Sequence, residues 1–211
     1  MRPMKHTEEK MKKPKDKRGH KLRKGALISG ALLLCGSLAA WGIVPLPRKH
    51  SKNGETVRNY AVVWPGKMMR SGKPYSEDGW TWVHEQGVKS IVTLIRGDNV
   101  DYKKFGFENV LQIPLQGQEV PTEEQAKQYL QFIQDPKEWP VDVHCAEGKD
   151  RTGMMVALAR YSIDGWPMEK ALAEAKTYRG GKDLARFRVE WLQKWATAHK
   201  PGSERGAGNG S

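Results

Sequence analysis

From residue 60 onward the chain alternates short apolar runs with amphipathic stretches, and the alternation predicts strands and helices in turn. Ala61-Val62-Val63-Trp64 reads as a first strand closed by a Pro65-Gly66 turn. Residues 76–86 read as a helix stopped by Gly87. Val88 to Ile95, β-branched and apolar at most positions, reads as a strand covered on both faces, and Val110 to Pro114 as another short one. Thr122 to Gln134 reads as a helix with Thr122 as N-cap, Gln125 as its box partner, and Ala126, Tyr129, Leu130 and Ile133 on one apolar face. Val141-Asp142-Val143 alternates as a strand. The run Met154 to Ala159 then predicts a buried helix from Thr152 to about Asp164. After the Gly165-Trp166-Pro167 turn, Met168, Ala171, Leu172 and Ala175 recur at helical spacing. Arg179 to Lys182 interrupts, and a last helix carries Leu184, Phe187, Trp191, Leu192 and Trp195, a core stripe. The order predicts an α/β fold over residues 60–198, three layers with a central, mostly parallel sheet flanked by helices. Residues 199–211, rich in Gly, Ser and charge, are expected to form a disordered tail.

The first sixty residues follow another pattern. Residues 25–46 carry no charge, long enough for the roughly twenty apolar residues that span a bilayer as a helix. Trp41 suits the interface, and Pro45 and Pro47 end the segment. Composition sharpens this reading. Of the net charge of +12, a surplus of eight lies in residues 1–24, where eleven Lys and Arg face Glu8, Glu9 and Asp16. A basic arm ahead of an apolar span keeps the N-terminus cytoplasmic and sends the rest of the chain across the membrane. The arm is therefore assigned to topology and not to nucleic acid. A cleaved signal peptide, with Ser37-Leu38-Ala39 at the cleavage site, is the rival to an uncleaved signal anchor, which is favoured because both the basic region and the apolar run are long. Residues 47–59 are polar and read as a linker.

Chemistry concentrates in His144-Cys145-Ala146-Glu147-Gly148-Lys149-Asp150-Arg151-Thr152-Gly153, which lies between a predicted strand and a predicted helix. Backbone N–H groups curling toward one point at a helix N-terminus make an anion site. Such a setting lowers a cysteine pKa from about 8.5 toward about 4–7, which makes Cys145 a nucleophile. Arg151, six residues later, offers a planar fork to two phosphoryl oxygens. Ala146, Glu147, Gly148 and Lys149 line the cradle, the Thr152 hydroxyl is placed to support the thiolate as a leaving group, and His144 to brace the loop through backbone carbonyls. The implied reaction is phosphoryl transfer through a cysteinyl-phosphate. No metal site is expected, since Cys35 is the only other cysteine and lies in the apolar segment, and no cofactor is implied. Gly-x4-Gly-Lys-Ser/Thr is absent, which excludes a nucleotide-binding loop of that type.

His144-Cys145-x5-Arg151-Thr152-Gly153 resembles the signature of the cysteine-dependent protein tyrosine and dual-specificity phosphatases. The Met69-Arg70-Ser71-Gly72-Lys73-Pro74 segment, Gly165-Trp166 and Arg179-Gly180-Gly181 extend the resemblance, over residues 60–198, to small bacterial periplasmic dual-specificity enzymes. By analogy it agrees with the topology read from residues 1–46, a single pass at residues 25–46 that puts the catalytic domain on the periplasmic side of the cell inner membrane. It also implies a general acid, usually an aspartate, on the loop before the preceding helix. That loop, residues 114–121, has none; Glu119 is the candidate, with Asp150 inside the phosphate loop as the alternative and Asp98 and Asp101 as outsiders. Arg70 is expected to make a structural hydrogen bond. Lys149 would suit a substrate with a second phosphate, whereas Lys182, Arg186 and Arg188 read mainly as surface cations. Three functions follow, in order: hydrolysis of phosphotyrosine and phosphoserine/threonine proteins, hydrolysis of inositol phosphates or phosphoinositides, and phospho-binding with weak catalysis.

Overall fold

The computed structural model describes residues 48–52 and 55–206. The basic arm, the apolar segment 25–46 and residues 207–211 lie outside the described residues. Among those described, no helix is long and apolar enough to cross a membrane.

Six strands form one sheet in the order β1-β2-β3-β6-β4-β5. β1 (Arg48–Lys52), β2 (Glu55–Trp64) and β3 (Met68–Gly72) pair antiparallel. β3 then runs parallel to β6 (Val141–Cys145), β6 to β4 (Ser90–Ile95), and β4 to β5 (Asn109–Leu115). The sheet is mixed and mostly parallel, with helices on both faces. Residues 48–52 and 55–59, read from the sequence as part of a linker, lie in strands. β1 and the first half of β2 lie there, and their sequences hid them because strands of an antiparallel ribbon can leave one face to solvent and so need no continuous apolar run. β3 escaped prediction too, since Arg70 and Ser71 break its apolar pattern although all five residues are buried.

The pleat divides the core in two. Val92, Leu94, Val141, Val143, Cys145 and Met68 face α2 (Glu123–Phe132), α3 (Asp150–Ser162), α4 (Met168–Thr177) and α5 (Arg186–Ala198). Met69 and Ile91 face α1 (Glu77–Glu85) and the aromatic cluster of Trp80, Tyr102 and Phe107. α3 is buried from Thr152 to Ser162, which explains its lack of a polar face. Thr122 and Gln125 form the capping box expected of α2. Gly87, at φ 86°, follows α1 in the left-handed region, as expected of its stop signal.

The segment after α5 is tied down through Gly206, against the expectation for residues 199–211. Gly202 N–H donates to Tyr161 C=O at 2.9 Å, Glu204 N–H to Ser162 C=O at 3.0 Å, and Arg205 Nε to Ile163 C=O at 3.0 Å. These bonds satisfy the last carbonyls of α3, a requirement of the helix end that composition of the tail does not reveal.

α3 and α4 are locked by an ion cluster. Arg160 donates from Nε and Nη2 to the Glu174 carboxylate at 2.8 and 3.0 Å and from Nη1 to Asp164 at 2.8 Å. Glu174 is 3% exposed, so removing it leaves a guanidinium short of charge in the core. Glu174→Ala is expected to lower the unfolding free energy by about 3 kcal/mol, read from the midpoint of urea denaturation; a loss under about 1 kcal/mol would refute the locking role.

Candidate active site

β6 carries Cys145 to its C-terminal end, and the chain then turns through residues 146–149 into α3. The carbonyls of this loop are taken up one after another by donors outside it. Cys145 C=O accepts from Lys73 N–H at 2.8 Å, and Ala146 C=O from Arg58 Nη2 at 3.3 Å. Glu147 C=O accepts from Asn59 Nδ2 at 2.7 Å, and Gly148 C=O from the buried Arg70 Nη2 at 2.5 Å. Lys149 C=O accepts from Gly153 N–H at 2.9 Å within the first turn of α3. With the carbonyls held outward, N–H groups are free to face the hollow, and those of Glu147 and Thr152 reach Cys145.

Two glycines permit this packing. A Cβ on Gly148, which sits at φ 67°, would lie 2.6 Å from the backbone of Ser71 and Gly72, and one on Gly72 would lie 2.9 Å from Glu147 C. The loop therefore rests directly on the end of β3.

Cys145 is buried and free of any disulfide. Burial pushes its thiol up, but the Thr152 hydroxyl and N–H, the charge of Arg151 and the Glu147 N–H outweigh this and hold it below its ordinary value. The Thr152 hydroxyl is itself buried near the sulfur and makes no well-formed hydrogen bond to any group of the chain. Arg151 is aimed by two carbonyls: its Nη1 donates to Leu94 C=O at 3.0 Å and to Leu115 C=O at 2.9 Å, the ends of β4 and β5. Cys145, Arg151 and Thr152 thus lie together at the loop.

His144 acts differently from expectation. It bonds no loop carbonyl, because the pleat turns it to the α1 face, away from the loop. There Nδ1 lies 3.3 Å from Asp142 and Nε2 lies 3.0 Å from Tyr102 Oη. Tyr102 donates to Asp98 at 2.6 Å, and Asp98 also accepts from Thr93 at 2.6 Å and from Lys73 Nζ at 2.8 Å. Burial lowers the His144 pKa, but the Asp142 and Asp98 carboxylates reverse this and hold it above its ordinary value, favouring the imidazolium. Burial raises the Asp98 carboxyl, yet His144, Lys73, Thr93 and Tyr102 together hold it far below the usual range. Asp98 is a structural anion, and Asp101 caps the short helix at Tyr102–Phe105.

The acid candidates are both ion-paired. Glu119 binds Arg96 Nη2 at 2.7 and 2.6 Å and accepts from Gln116 N–H at 2.8 Å, which holds its carboxyl below the ordinary range. Asp150 pairs with Arg179. Lys149 and Arg58 share Glu147, at 2.8 and 2.9 Å. Of the cations read as surface residues, Lys182 is exposed and Arg186 is exposed and paired with Glu190, but Arg188 is buried. Its Nη2 donates to Gly117 C=O at 3.3 Å, and Arg151 and Cys145 are among the charges it senses. Arg58 and Asn59 had no sequence signal, lying in the presumed linker some ninety positions from the loop they hold; Asn59, at φ 52°, is a residue type that tolerates that conformation.

No group of His, Cys, Asp and Glu among the described residues forms a metal cluster. The fold and the loop define a cysteine-based phosphatase. Residues 37–188 match the family described as "DSP-PTPase phosphatase fused to NAD+ Kinase", and the chain belongs to that family. It is 31% identical over 94 residues to the dual specificity protein phosphatase TpbA of Pseudomonas aeruginosa, covering 44% of this chain and 42% of that protein, so the match spans less than half of the relative. The core catalytic domain of the PP-IP phosphatase SIW14 from S. cerevisiae superposes with TM-score 0.57 at 20% identity, over 67% of this chain and 93% of that one. PTPMT1 in complex with PI(5)P superposes with TM-score 0.53 at 20% identity, over 63% and 91%. At these identities the two structures establish the shared fold.

The lowered thiol pKa has a direct readout. Below its pKa Cys145 is a slow-reacting thiol and above it a fast-reacting thiolate, so the rate of alkylation by iodoacetate is expected to rise through a midpoint below the ordinary cysteine range. Thr152→Val removes the donor and is expected to move that midpoint to higher pH; an unmoved midpoint would exclude the hydroxyl as the cause.

Proposed function

We propose that the chain hydrolyses phosphotyrosine and phosphoserine/threonine in proteins through a cysteinyl-phosphate. The observation that carries the reading is the loop itself: a thiol held below its ordinary pKa beneath inward N–H groups, with Arg151 fixed across it by two carbonyls. The thiolate attacks phosphorus in line with the leaving oxygen; the P–S bond forms as the P–O bond breaks, and the electron pair leaves on oxygen. N–H groups and Arg151 take up the charge of the phosphoryl oxygens in transit. Water then attacks phosphorus, giving its proton to the carboxylate that protonated the leaving oxygen; the P–S bond breaks, and the Thr152 hydroxyl supports the departing thiolate.

The proton for the leaving oxygen is assigned to Glu119, with Asp150 as the alternative. Because Arg96 favours ionised Glu119, little of it is protonated at neutral pH, and a phenolate leaving group, which needs least help, should turn over fastest. Hydrolysis of inositol phosphates or phosphoinositides is the second reading, supported by two cations, Arg58 and Lys149, sharing one carboxylate at the rim. We further place the domain on the periplasmic side of the inner membrane, anchored by residues 25–46 behind the basic arm.

Phosphate release from the full chain is expected to be fastest on a phosphotyrosine peptide, slower on a phosphoserine peptide and absent in Cys145→Ser. Glu119→Gln is expected to slow the phosphoserine reaction at least about tenfold and the phosphotyrosine reaction less. Turnover confined to an inositol phosphate panel would put the second reading first. For the location, an alkaline phosphatase reporter fused after Ser211 should be active in intact cells; a reporter active only when deliberately exported by another signal would count against the anchor.

A further inference from the structure

Three buried arginines lie in the described domain. Arg160 is neutralised by Glu174 and Asp164. Arg70 holds the Gly148 carbonyl and lies over the Tyr178 ring at 3.5 Å; its Nε and Nη1 have no hydrogen-bond partner, but that ring covers them, whereas Arg188 stands near the charges of Arg151 and Cys145. Arg188 is only 5% exposed, yet no carboxylate among the described residues pairs with it. Its guanidinium makes one bond, the 3.3 Å contact from Nη2 to Gly117 C=O, and lies 4.5 Å from the Phe187 ring centre. Nε and Nη1 are buried and have no partner. An arginine keeps its charge in a protein, so these donors remain an unanswered positive group until an anion arrives.

The place of Arg188 says which anion. Gly117 belongs to the loop that leaves β5 two residues after Leu115, whose carbonyl aims Arg151, and that continues to Glu119. Arg188 stands in the first turn of α5, bonded to that loop at Gly117 and close enough to Arg151 to feel its charge. The neighbouring Arg179 is already answered by Asp150. The scissile phosphoryl is enclosed by the loop N–H groups and Arg151, so the free donors of Arg188 meet whatever the substrate carries next. Repulsion from Arg151 and Arg179 adds to the demand for negative charge there.

We propose that Arg188 is a specificity-determining residue whose free donors grip a second anionic group, a phosphate or a carboxylate, on the leaving side of the substrate. This rests on the phosphatase reading of the same site and narrows it: substrates with an anion beside the phosphoester are preferred over neutral ones. A planar fork with two parallel donors suits either anion.

The test uses 3-carboxyphenyl phosphate and 3-carbamoylphenyl phosphate, which match in shape and differ by one charge. Calorimetric titration of the Cys145→Ser chain is expected to give about tenfold tighter binding of the carboxylate, the worth of one charge-assisted hydrogen bond. Arg188→Met should erase that ratio, and Arg188→Lys, which keeps the charge without the fork, should retain part of it even where the Met variant melts early. A ratio near one in the Cys145→Ser parent, or a ratio that survives Arg188→Met, overturns the proposal. So does an equal loss of both ligands, which would put Arg188 on the scissile phosphoryl. Inositol bisphosphate and a phosphotyrosine peptide with an adjacent glutamate then tell phosphate from carboxylate as the second group, by which of them loses affinity in Arg188→Met. Turnover of both aryl phosphates by the chain with Cys145 intact is read separately. Its absence would sink the phosphatase reading, whereas turnover without the binding ratio would sink only the role of Arg188.

Discussion

The constraint on which the site depends is that one short stretch of backbone must turn all its N–H groups toward a single point. Like-oriented dipoles repel, so such a loop does not hold itself open; its carbonyls need donors on the outside. This chain supplies them from far away in sequence: Lys73, Arg58, Asn59 and Arg70 each take one carbonyl, and the first turn of α3 takes the next. Gly148 and Gly72 allow the loop to lie against β3 closely enough for those bonds to form. The nucleophile is therefore a product of β2 and β3 as much as of its own loop.

β6 adds a second consequence of strand geometry. Successive side chains point to opposite faces, so Cys145 opens toward α3 while His144 is directed beneath α1. There the imidazole is held between Asp142 and Asp98, with Tyr102, Thr93 and Lys73 completing the set. Lys73 joins the two faces: its ammonium binds Asp98 and its backbone N–H holds the Cys145 carbonyl. The polar cluster on one side of the sheet thus helps fix the loop on the other.

Charge around the hollow is sorted by pairing. Asp150 answers Arg179, Glu147 answers Arg58 and Lys149, and Glu119 answers Arg96. What is left for an incoming anion is Arg151, whose bonds go to carbonyls and not to carboxylates, and Arg188, whose donors are partly empty. Lys149, attractive in the sequence as a contact for a second phosphate, is paired with Glu147 at the rim.

Local patterns in the chain were enough for the class of fold and the heart of the chemistry. The β-branched run at β4, the capping box of α2, the apolar α3 and the spacing from Cys145 to Arg151 each follow from neighbours a few residues apart, and each reappears in the structure. Thr152 is likewise close in sequence to Cys145, in the first turn of α3. What the tertiary structure alone decided involves partners distant in sequence: the strands within the presumed linker, Arg58 and Asn59 as supports of the loop, the carboxylates around His144, and the burial of Arg188 against Gly117. The physical reason is that a hydrogen bond between residues ninety apart leaves no periodicity in either segment. A charge also reads as solvated in sequence until the fold closes over it.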